Sequence, residues 1–286
     1  MLKNFFLGLI ALFLVFSHYR ITEGFRVQKV LPRFFAWVAS QSFLDEKEHQ
    51  INTILDQPYT YLAKGQQCYV FESQDGKYVI KFLRDHKYRY PFWSYLSFLP
   101  QKLKEKAKKS LHMKDYRKKQ TQMSIKIAME DLKDETHLIF SHMQKTDDLH
   151  KTFCIIDSLH RKYYLELDKM QFIIQRKMEP LLSYLDQHPD QFSYVIDSFF
   201  DVVSKRVDKK IRNKNRRTMK NLGMCEGCVV ELDIGEFRRK PDLENPENFN
   251  EELNKSCQDF RDFLQIKAPH YLNYFDGKLK TYRREI

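Results

Sequence analysis

The sequence predicts an α+β fold in two lobes, a small β-rich lobe followed by a mainly helical one. Short apolar runs alternate with polar residues between positions 59 and 83, as strands do. Apolar residues recur at helical spacing between positions 192 and 211. The length of 286 residues suits one two-lobed domain or two small ones, and 42% apolar with 30% charged residues is a globular composition.

Residues 59–83 are predicted to form a strand, a loop, a second strand, a hairpin turn and a third strand. The first part, YTYLAKGQQCYVFES, has an alternating pattern around Gly65, and KYVIKF follows it. The dipeptide Asp75-Gly76 between them is typical of a two-residue hairpin turn. Lys81 therefore falls within the third strand.

The sequence before these strands divides into an apolar segment, residues 1–20, and an amphipathic connector, residues 21–58. The run FFLGLIALFLVF is short for a spanning helix, which needs about 20 residues. Three interpretations stay open: a retained membrane anchor, a signal peptide that is cleaved, or a buried helix. Basic residues after the run favour keeping that side in the cytoplasm. They are Arg20, Arg26, Lys29 and Arg33.

Residues 192–211 are predicted to form an amphipathic helix, which a hairpin follows. The apolar positions of the helix are Phe192, Val195, Ile196, Phe199, Phe200, Val203, Val207 and Ile211. After a basic loop, NLGMCEGCVVELDIG predicts a strand, a tight turn at Glu226-Gly227, a strand and the tripeptide Asp-Ile-Gly. A short hairpin would bring its two ends, Asn221 and Asp233, to one place.

Between residues 59 and about 240, these segments resemble the protein kinase family in their order and spacing. The kinase glycine-rich loop, G-x-G-x-x-G-x-V, matches AKGQQCYV only at Gly65 and Val70. The resemblance implies that Gly65, Gln66 and Val70 contact ATP, and that Lys81 holds its α- and β-phosphates. Backbone amides can approach phosphate oxygens closely where a glycine leaves no side chain in the way.

The resemblance also implies a Mg²⁺ site and a kinase-like two-lobed fold. Asn221 matches the asparagine of the kinase catalytic loop, and Asp233 matches the aspartate of the Asp-Phe-Gly motif. An amide oxygen and a carboxylate are suitable ligands for Mg²⁺. Asn221 and Asp233 are accordingly predicted to bind the metal and to belong to the catalytic set, together with Lys81.

The segment between the two halves fits the same order. Residues 120–145 are predicted to form the helix whose glutamate pairs with Lys81, with Glu135 as first choice and Glu130 as the alternative. The stretches CIIDSLHRKYYLEL and MQFIIQRKMEPL are predicted to be two strands leading to a hinge. Gln175 and Met178 of that hinge are further predicted ATP contacts.

The sequence also departs from the kinase pattern. Arg216 stands five residues before Asn221, where the kinase aspartate would act as catalytic base, and no carboxylate lies between Asp208 and Asn221. Asp208 is expected to be a surface charge at the end of the helix. Only 51 residues follow Gly235, which suits a compact, atypical bacterial kinase-like fold.

The predicted organisation is a β-rich lobe over residues 59–178 and a reduced helical lobe over residues 179–286. An insertion of aromatic and basic residues, 84–119, interrupts the first lobe and could contact an anionic membrane surface.

The net charge of +11 favours anionic partners. The expected cofactors are ATP and Mg²⁺, and the expected partners are a nucleotide, a protein or small-molecule acceptor of phosphate, and an anionic membrane surface. Nucleic acid is not expected.

Three functions follow from these observations. The first is an ATP-binding, kinase-like phosphotransferase; the second is a pseudokinase scaffold that acts through partners; the third is a basic, membrane-associated interaction protein without a nucleotide site. The main domain is expected on the cytoplasmic side of a membrane, or exported if the N-terminal segment is cleaved.

Overall fold

The computed structural model describes residues 2–32, 45–89, 100–147, 149–215 and 218–285. The chain forms two compact units, one of residues 1–115 and 140–174, the other of residues 116–139 and 175–286. The first contains a large β-sheet and the second is mainly helical, so the predicted α+β class is confirmed.

The first unit is built around a sheet with the strand order β4-β7-β3-β2-β1-β5-β6. Its strands are β1 (Tyr59–Lys64), β2 (Cys68–Ser73), β3 (Tyr78–Leu83), β4 (Leu138–His142), β5 (Thr152–Ile156), β6 (Lys162–Glu166) and β7 (Phe172–Arg176). Strands β1, β2 and β3 pair antiparallel in chain order, which confirms the predicted strand, loop, strand, hairpin, strand sequence.

Aromatic rings fill one side of this sheet. Phe25 has its ring centroid 5.1 Å from that of Tyr69 and 5.2 Å from that of Phe71, and all three side chains are buried. Phe82 continues the row, 5.8 Å from Phe71. Burial of these rings stabilises the sheet, because each removes a large apolar area from water.

Three of the described helices begin in the first unit: α1 (Leu2–Thr22), α2 (Asp45–Leu55) and α3 (Gln101–Asp131). Among the described residues, none of the helices is both long and apolar enough to cross a membrane. Helix α3 begins inside the predicted insertion 84–119, whereas residues 90–99 lie outside the described residues.

The second unit packs around α6 (Phe192–Asp208), whose apolar side is buried as predicted. Its other helices are α4 (Lys133–Thr136), α5 (Leu181–Gln187), α7 (Pro246–Lys267) and α8 (Leu272–Tyr282), and its strands are β8 (Glu179–Pro180), β9 (Ile211–Asn213), β10 (Leu222–Cys225), β11 (Cys228–Glu231) and β12 (Phe237–Arg239). Phe199 and Phe200 of α6 contact Phe275 of α8, and Phe199 also contacts Phe260 of α7.

The predicted hairpin at Glu226-Gly227 is present. Glu226 and Gly227 both have positive φ, at 50° and 81°, as a two-residue hairpin loop requires. The other predicted turn differs, because four residues connect β2 to β3 and of these Gly76 is left-handed, at φ 69°. The Asp75 carboxylate accepts hydrogen bonds from Ser73 and from the Lys77 amide, which stabilises this longer loop.

Three predicted boundaries are wrong. The helix predicted over 120–145 begins at Gln101 and ends at Asp131, and residues 138–142 form strand β4. The stretch CIIDSLHRKYYLEL is a hairpin of β5 and β6, because Asp157 and the left-handed His160 reverse the chain within it. The helix predicted over 192–211 ends at Asp208, since Lys210 is left-handed and Ile211 begins β9.

Candidate functional site

In the first unit, two predicted nucleotide contacts lie side by side on the sheet. Val70 of β2 pairs directly with Lys81 of β3, and Ala63 of β1 pairs with Val70. Directly paired residues in antiparallel strands project from the same face. Val70 and Lys81 are partly exposed, whereas their neighbours Tyr69, Ile80 and Phe82 project into the aromatic core. The sheet thus presents an ammonium group beside an apolar contact.

The loop between β1 and β2 is braced by cations. Arg84 donates hydrogen bonds to the carbonyl oxygens of Gly65 at 3.0 Å and Gln66 at 3.4 Å, and Lys87 donates to the same Gln66 oxygen. The Gly65 amide donates to the Cys68 carbonyl at 2.9 Å, which closes the loop. A Cβ on Gly65 would meet the Cys68 oxygen at 3.5 Å, an ordinary contact, so the loop itself does not require glycine.

Glu135 lies in the short helix α4, after the end of α3. It was predicted to lie within the long helix itself. Its Oε1 accepts a hydrogen bond from Lys209 Nζ at 2.5 Å. Its Oε2 is buried and has no hydrogen-bond partner among the described residues. Glu130, the alternative, pairs with Arg239 at 3.1 Å and Lys126 at 3.6 Å. The pairing of Glu135 with Lys81 stays a prediction.

The structure brings Asn221 and Asp233 together at the base of the β10–β11 hairpin. The backbone carbonyl of Asn221 accepts hydrogen bonds from the backbone amides of Leu232 at 2.7 Å and Asp233 at 3.4 Å. The Asp233 Oδ1 accepts the Gly235 amide at 3.1 Å. The Asn221 Nδ2 is buried and makes no hydrogen bond to a described residue. The backbones of Asn221 and Asp233 therefore meet here, and the two residues carry one carboxylate and one unsatisfied amide.

Helix α3 braces the chain just after Asp233. The Ser124 hydroxyl, which is fully buried, donates to the Ile234 carbonyl at 2.5 Å and accepts from the Phe237 amide at 2.6 Å. Both backbone groups would otherwise be buried without partners, which costs about 1–3 kcal/mol for each group. Ser124 therefore fixes the course of the Asp-Ile-Gly segment.

A buried charge network that was not predicted from the sequence underlies the hairpin. Arg206 of α6 is fully buried, and its Nε lies 2.7 Å from Glu231 Oε1. Its other nitrogens donate to the Ile211 carbonyl at 3.1 Å and the Ser256 hydroxyl at 3.0 Å. Glu252 lies 3.8 Å from Arg206 and accepts from Arg212 at 2.6 Å.

This network links α6, β9, β11 and α7 at the strand that ends next to Asp233. Burial raises the pKa of Glu231 and of Glu252, and the nearby guanidinium of Arg206 opposes the rise. A signal was present in the sequence: Arg206 falls on the apolar side of α6, between Val203 and Val207. Charged residues at such positions are almost always paired.

Two residues predicted near the hinge are held in the second unit. Gln175 is fully buried, and its Nε2 donates to the Thr136 carbonyl at 2.8 Å. Met178 lies close to Gly223 of β10. A Cβ added to Gly223 would come within 2.9 Å of Met178 Cβ and of the Glu179 carbonyl oxygen. Gly223 is thus required for close pairing of β10 with β8. A glycine inside a buried strand is the signal that could have found it.

The loop before Asn221 offers no described carboxylate for a catalytic base. Asn213 is occupied, since its Nδ2 donates to Glu231 at 3.0 Å and its Oδ1 accepts the Asn215 amide. Asp208 ends α6, is exposed and pairs with Arg284 at 2.6 Å, as expected for a surface charge. Arg216 lies outside the described residues.

Other parts of the described structure do not point to a second centre. Clefts of about 460 and 310 Å³ are lined by residues of α2 with the β2–β3 loop, and by α7. None of the predicted site residues lines them. No group of three or more His, Cys, Asp or Glu side chains able to hold a metal occurs in the described ranges.

Comparison with known proteins gives matches among solved structures alone. No protein family profile matches the chain, and no curated protein sequence does. A 2.2 Å crystal structure of WbdD aligns with a TM-score of 0.39 and 12% identity over 79% of this chain and 47% of WbdD. A second WbdD structure, described as a bifunctional kinase-methyltransferase, aligns with a TM-score of 0.35 and 12% identity. This alignment covers 77% of this chain and 45% of WbdD.

The ADP-bound aminoglycoside phosphotransferase APH(2'')-Ib aligns with a TM-score of 0.30 and 11% identity, over 84% of this chain and 92% of that enzyme. The chain spans about half the length of the WbdD structures that it matches. The neighbours are thus a kinase-methyltransferase and a phosphotransferase.

Proposed function

We propose that this chain is a kinase-like phosphotransferase domain that binds Mg-ATP. The observation that carries the proposal is the juxtaposition of Asn221 and Asp233, whose backbones are hydrogen-bonded at the base of one hairpin. In the kinase resemblance, these two positions supply the metal ligands. Their closeness is what that assignment requires.

The side chains at this place fit Mg²⁺ by their chemistry. Mg²⁺ prefers oxygen ligands and usually keeps waters and substrate phosphates in its shell, so that one or two protein ligands suffice. Asp233 supplies a carboxylate. Asn221 has a buried, unsatisfied amide nitrogen, and rotation of the amide about χ2 would place its oxygen in the same position. Bound Mg²⁺ would neutralise phosphate charge.

The first unit would supply the remaining contacts to the nucleotide. Lys81 adds a positive charge for the α- and β-phosphates, and Val70 on the neighbouring strand offers an apolar surface for the base. Gly65 and Gln66 lie in the loop next to these strands. Gln175 and Met178 would complete the set in the hinge, where Gln175 has a buried Oε1 without a partner among the described residues.

Phosphoryl transfer is proposed separately from binding. Transfer depends mainly on positioning and on neutralising charge, to which Lys81, Asn221 and Asp233 would contribute. A carboxylate base is missing from the sequence between Asp208 and Asn221. This absence favours the second candidate, a pseudokinase scaffold that binds nucleotide and acts through partners.

The acceptor in the first case would be a protein or a small molecule. Because ATP is plentiful in the cytoplasm, the proposal includes a cytoplasmic position for this part of the chain. The basic residues that follow the N-terminal apolar run agree with this placement.

Thermal unfolding with and without Mg-ATP tests binding. A ligand present at 100 times its Kd stabilises the native state by about 2.7 kcal/mol, so the melting temperature should rise. Asp233→Ala should lose most of that rise, because it removes a metal ligand. Asp186→Ala, a change of an exposed carboxylate in the same unit, should keep it.

Equal shifts in wild type and Asp233→Ala would exclude Asp233 as a ligand. The lack of any shift in wild type would favour the interaction protein without a nucleotide site. Where binding is present, turnover of ATP with candidate acceptors separates the transferase from the pseudokinase.

A further inference from the structure

The described apolar side chains of α1 are exposed on all sides of the helix. Five consecutive side chains are between 59% and 68% exposed: Leu12, Phe13, Leu14, Val15 and Phe16. Successive helical residues are rotated by about 100°, so five of them cover more than one full turn. A helix that docks in a protein groove buries one side; an apolar helix open on all sides suits an apolar solvent.

The other end of α1 is fixed to the sheet of the first unit. A left-handed turn at Glu23 and Gly24 ends the helix, and Phe25 is buried among the rings of Tyr61, Tyr69 and Phe71. The turn is held from the sheet side, since the Tyr69 hydroxyl donates to the Gly24 carbonyl at 3.1 Å. The apolar helix therefore projects from a defined base.

Five cations from distant parts of the sequence gather at this base: Arg26, Lys29, Lys64, Arg84 and Lys87. We name them the basal cluster. Lys29 donates to the Gly24 carbonyl, and Lys64 donates to the Glu23 carbonyl at 2.9 Å. Partial desolvation lowers the pKa of Lys29 and of Lys87, and the neighbouring cations also lower both.

The basal cluster has a large excess of positive charge. Its described hydrogen bonds go to backbone carbonyl oxygens, which carry no net charge. The nearby carboxylate of Glu23 accepts from the Tyr61 hydroxyl at 2.7 Å, and Asp85 pairs with Arg89 at 3.2 Å. Mutual repulsion among five cations would be relieved by an anion with several oxygens, such as a phosphate.

We propose that α1 and the basal cluster form one membrane-binding surface, in which α1 lies among lipid acyl chains and the cluster binds the phosphate headgroups of anionic lipids. The order of the two features along the surface matches a bilayer, with hydrocarbon next to a charged layer. The sequence predicted membrane association from the apolar run and from Arg26 and Lys29. The fold adds Lys64, which ends β1, and Arg84 and Lys87, which follow β3. The proposal is independent of nucleotide binding.

Flotation of the full chain with lipid vesicles tests the proposal. The probes are vesicles of phosphatidylcholine alone, and of phosphatidylcholine with phosphatidylglycerol, at low and at high salt. Wild type should bind the vesicles with phosphatidylglycerol at least tenfold more tightly than the vesicles of phosphatidylcholine alone, and high salt should weaken that binding. The triple variant Arg26→Gln, Lys64→Gln, Lys87→Gln should bind them roughly 100-fold more weakly, since each basic residue near an anionic surface contributes about a fivefold change.

A matched control removes the same charge elsewhere. Lys205→Gln, Lys267→Gln and Lys280→Gln alter exposed lysines of the second unit and should change binding less than about threefold. A third variant, Leu12→Gln, Phe13→Gln and Val15→Gln, should weaken binding to both kinds of vesicle. Circular dichroism spectra and melting temperatures establish that each variant is folded.

Several outcomes would overturn the proposal. An equal loss of vesicle affinity in the control variant would show that net charge alone, and not the basal cluster, determines binding. Equal binding of wild type to both vesicle types would show that the anionic headgroups are not recognised. Self-association that the α1 variant abolishes, without vesicle binding, would show that a second copy covers the helix. Stabilisation by free pyrophosphate through the same three cations, without vesicle binding, would show a site for a soluble anion.

Discussion

The loop after β1 and the hairpin base at Asn221 and Asp233 are held in contrasting ways. Arg84 and Lys87 hold the loop through partly or fully exposed side chains that reach carbonyl oxygens. The hairpin base rests on the buried network of Arg206 and Glu231, and on Ser124. Exposed polar contacts contribute little, whereas breaking a buried ion pair costs several kcal/mol. The proposed metal ligands are thus set in place by folding, and the proposed phosphate loop is held much less firmly.

The largest expected effect comes from removing the charge under the hairpin. Arg206→Met leaves Glu231 buried without its main partner and should lower the free energy of unfolding by about 3–5 kcal/mol. Urea unfolding followed by circular dichroism measures it, because the second unit is mainly helical. A variant that also carries Glu231→Leu should recover part of the loss, since the uncompensated carboxylate is then gone.

The matched change on the loop side is Lys87→Met, which removes an exposed cation bonded to the Gln66 carbonyl. It should lower stability by less than about 0.5 kcal/mol. Losses of similar size for Arg206→Met and Lys87→Met would contradict the difference drawn between the two regions.

Local patterns predicted the parts of the fold that local chemistry determines. Strands β1 to β3, helix α6 and the hairpin at Glu226-Gly227 follow from alternation, helical spacing and turn residues. The end of the long helix could not be found in this way. Residues 132–145 continue to look helical, but Leu138 and Phe140 are taken up by the sheet core. Tertiary packing overrides local propensity there.

The site was predictable where it depends on a motif and hidden where it depends on long-range contacts. The closeness of Asn221 and Asp233 follows from the length of the hairpin between them. Ser124 meets Ile234 and Phe237 across more than 100 positions of sequence, and no local pattern reports such a contact. The same holds for the partner of Glu135, which is Lys209.

Two glycine substitutions sharpen the comparison at an intermediate size of effect. Gly223→Ala puts a Cβ within 2.9 Å of the Glu179 carbonyl and should cost about 1–3 kcal/mol, because paired backbone cannot move aside easily. Gly65→Ala meets the Cys68 oxygen only at 3.5 Å and should change stability by less than about 0.5 kcal/mol. Urea midpoints compare the two variants.

The same pair separates folding from binding. If phosphates approach the loop backbone, Gly65→Ala should still reduce the Mg-ATP thermal shift while leaving the apo melting temperature unchanged. A full thermal shift in Gly65→Ala would argue against a close approach of phosphate at this position.

A modest pH dependence is expected from His86 on the loop side. Burial, with a smaller contribution from the nearby cations Arg84 and Lys29, lowers the pKa of His86 from 6.5 to about 4. Between about pH 6.5 and pH 4 the unfolded chain binds a proton that the folded chain does not, so stability should fall as the pH falls through this window.

The whole pKa difference corresponds to about 3 kcal/mol. Because the ring is partly exposed, the expected change in the free energy of unfolding is ~1 kcal/mol. Urea unfolding at pH 7.5 and pH 5, followed by circular dichroism, measures it. His86→Gln should flatten the dependence, whereas the exposed control His112→Gln should not, and an unchanged slope in His86→Gln would assign the pH dependence to other groups.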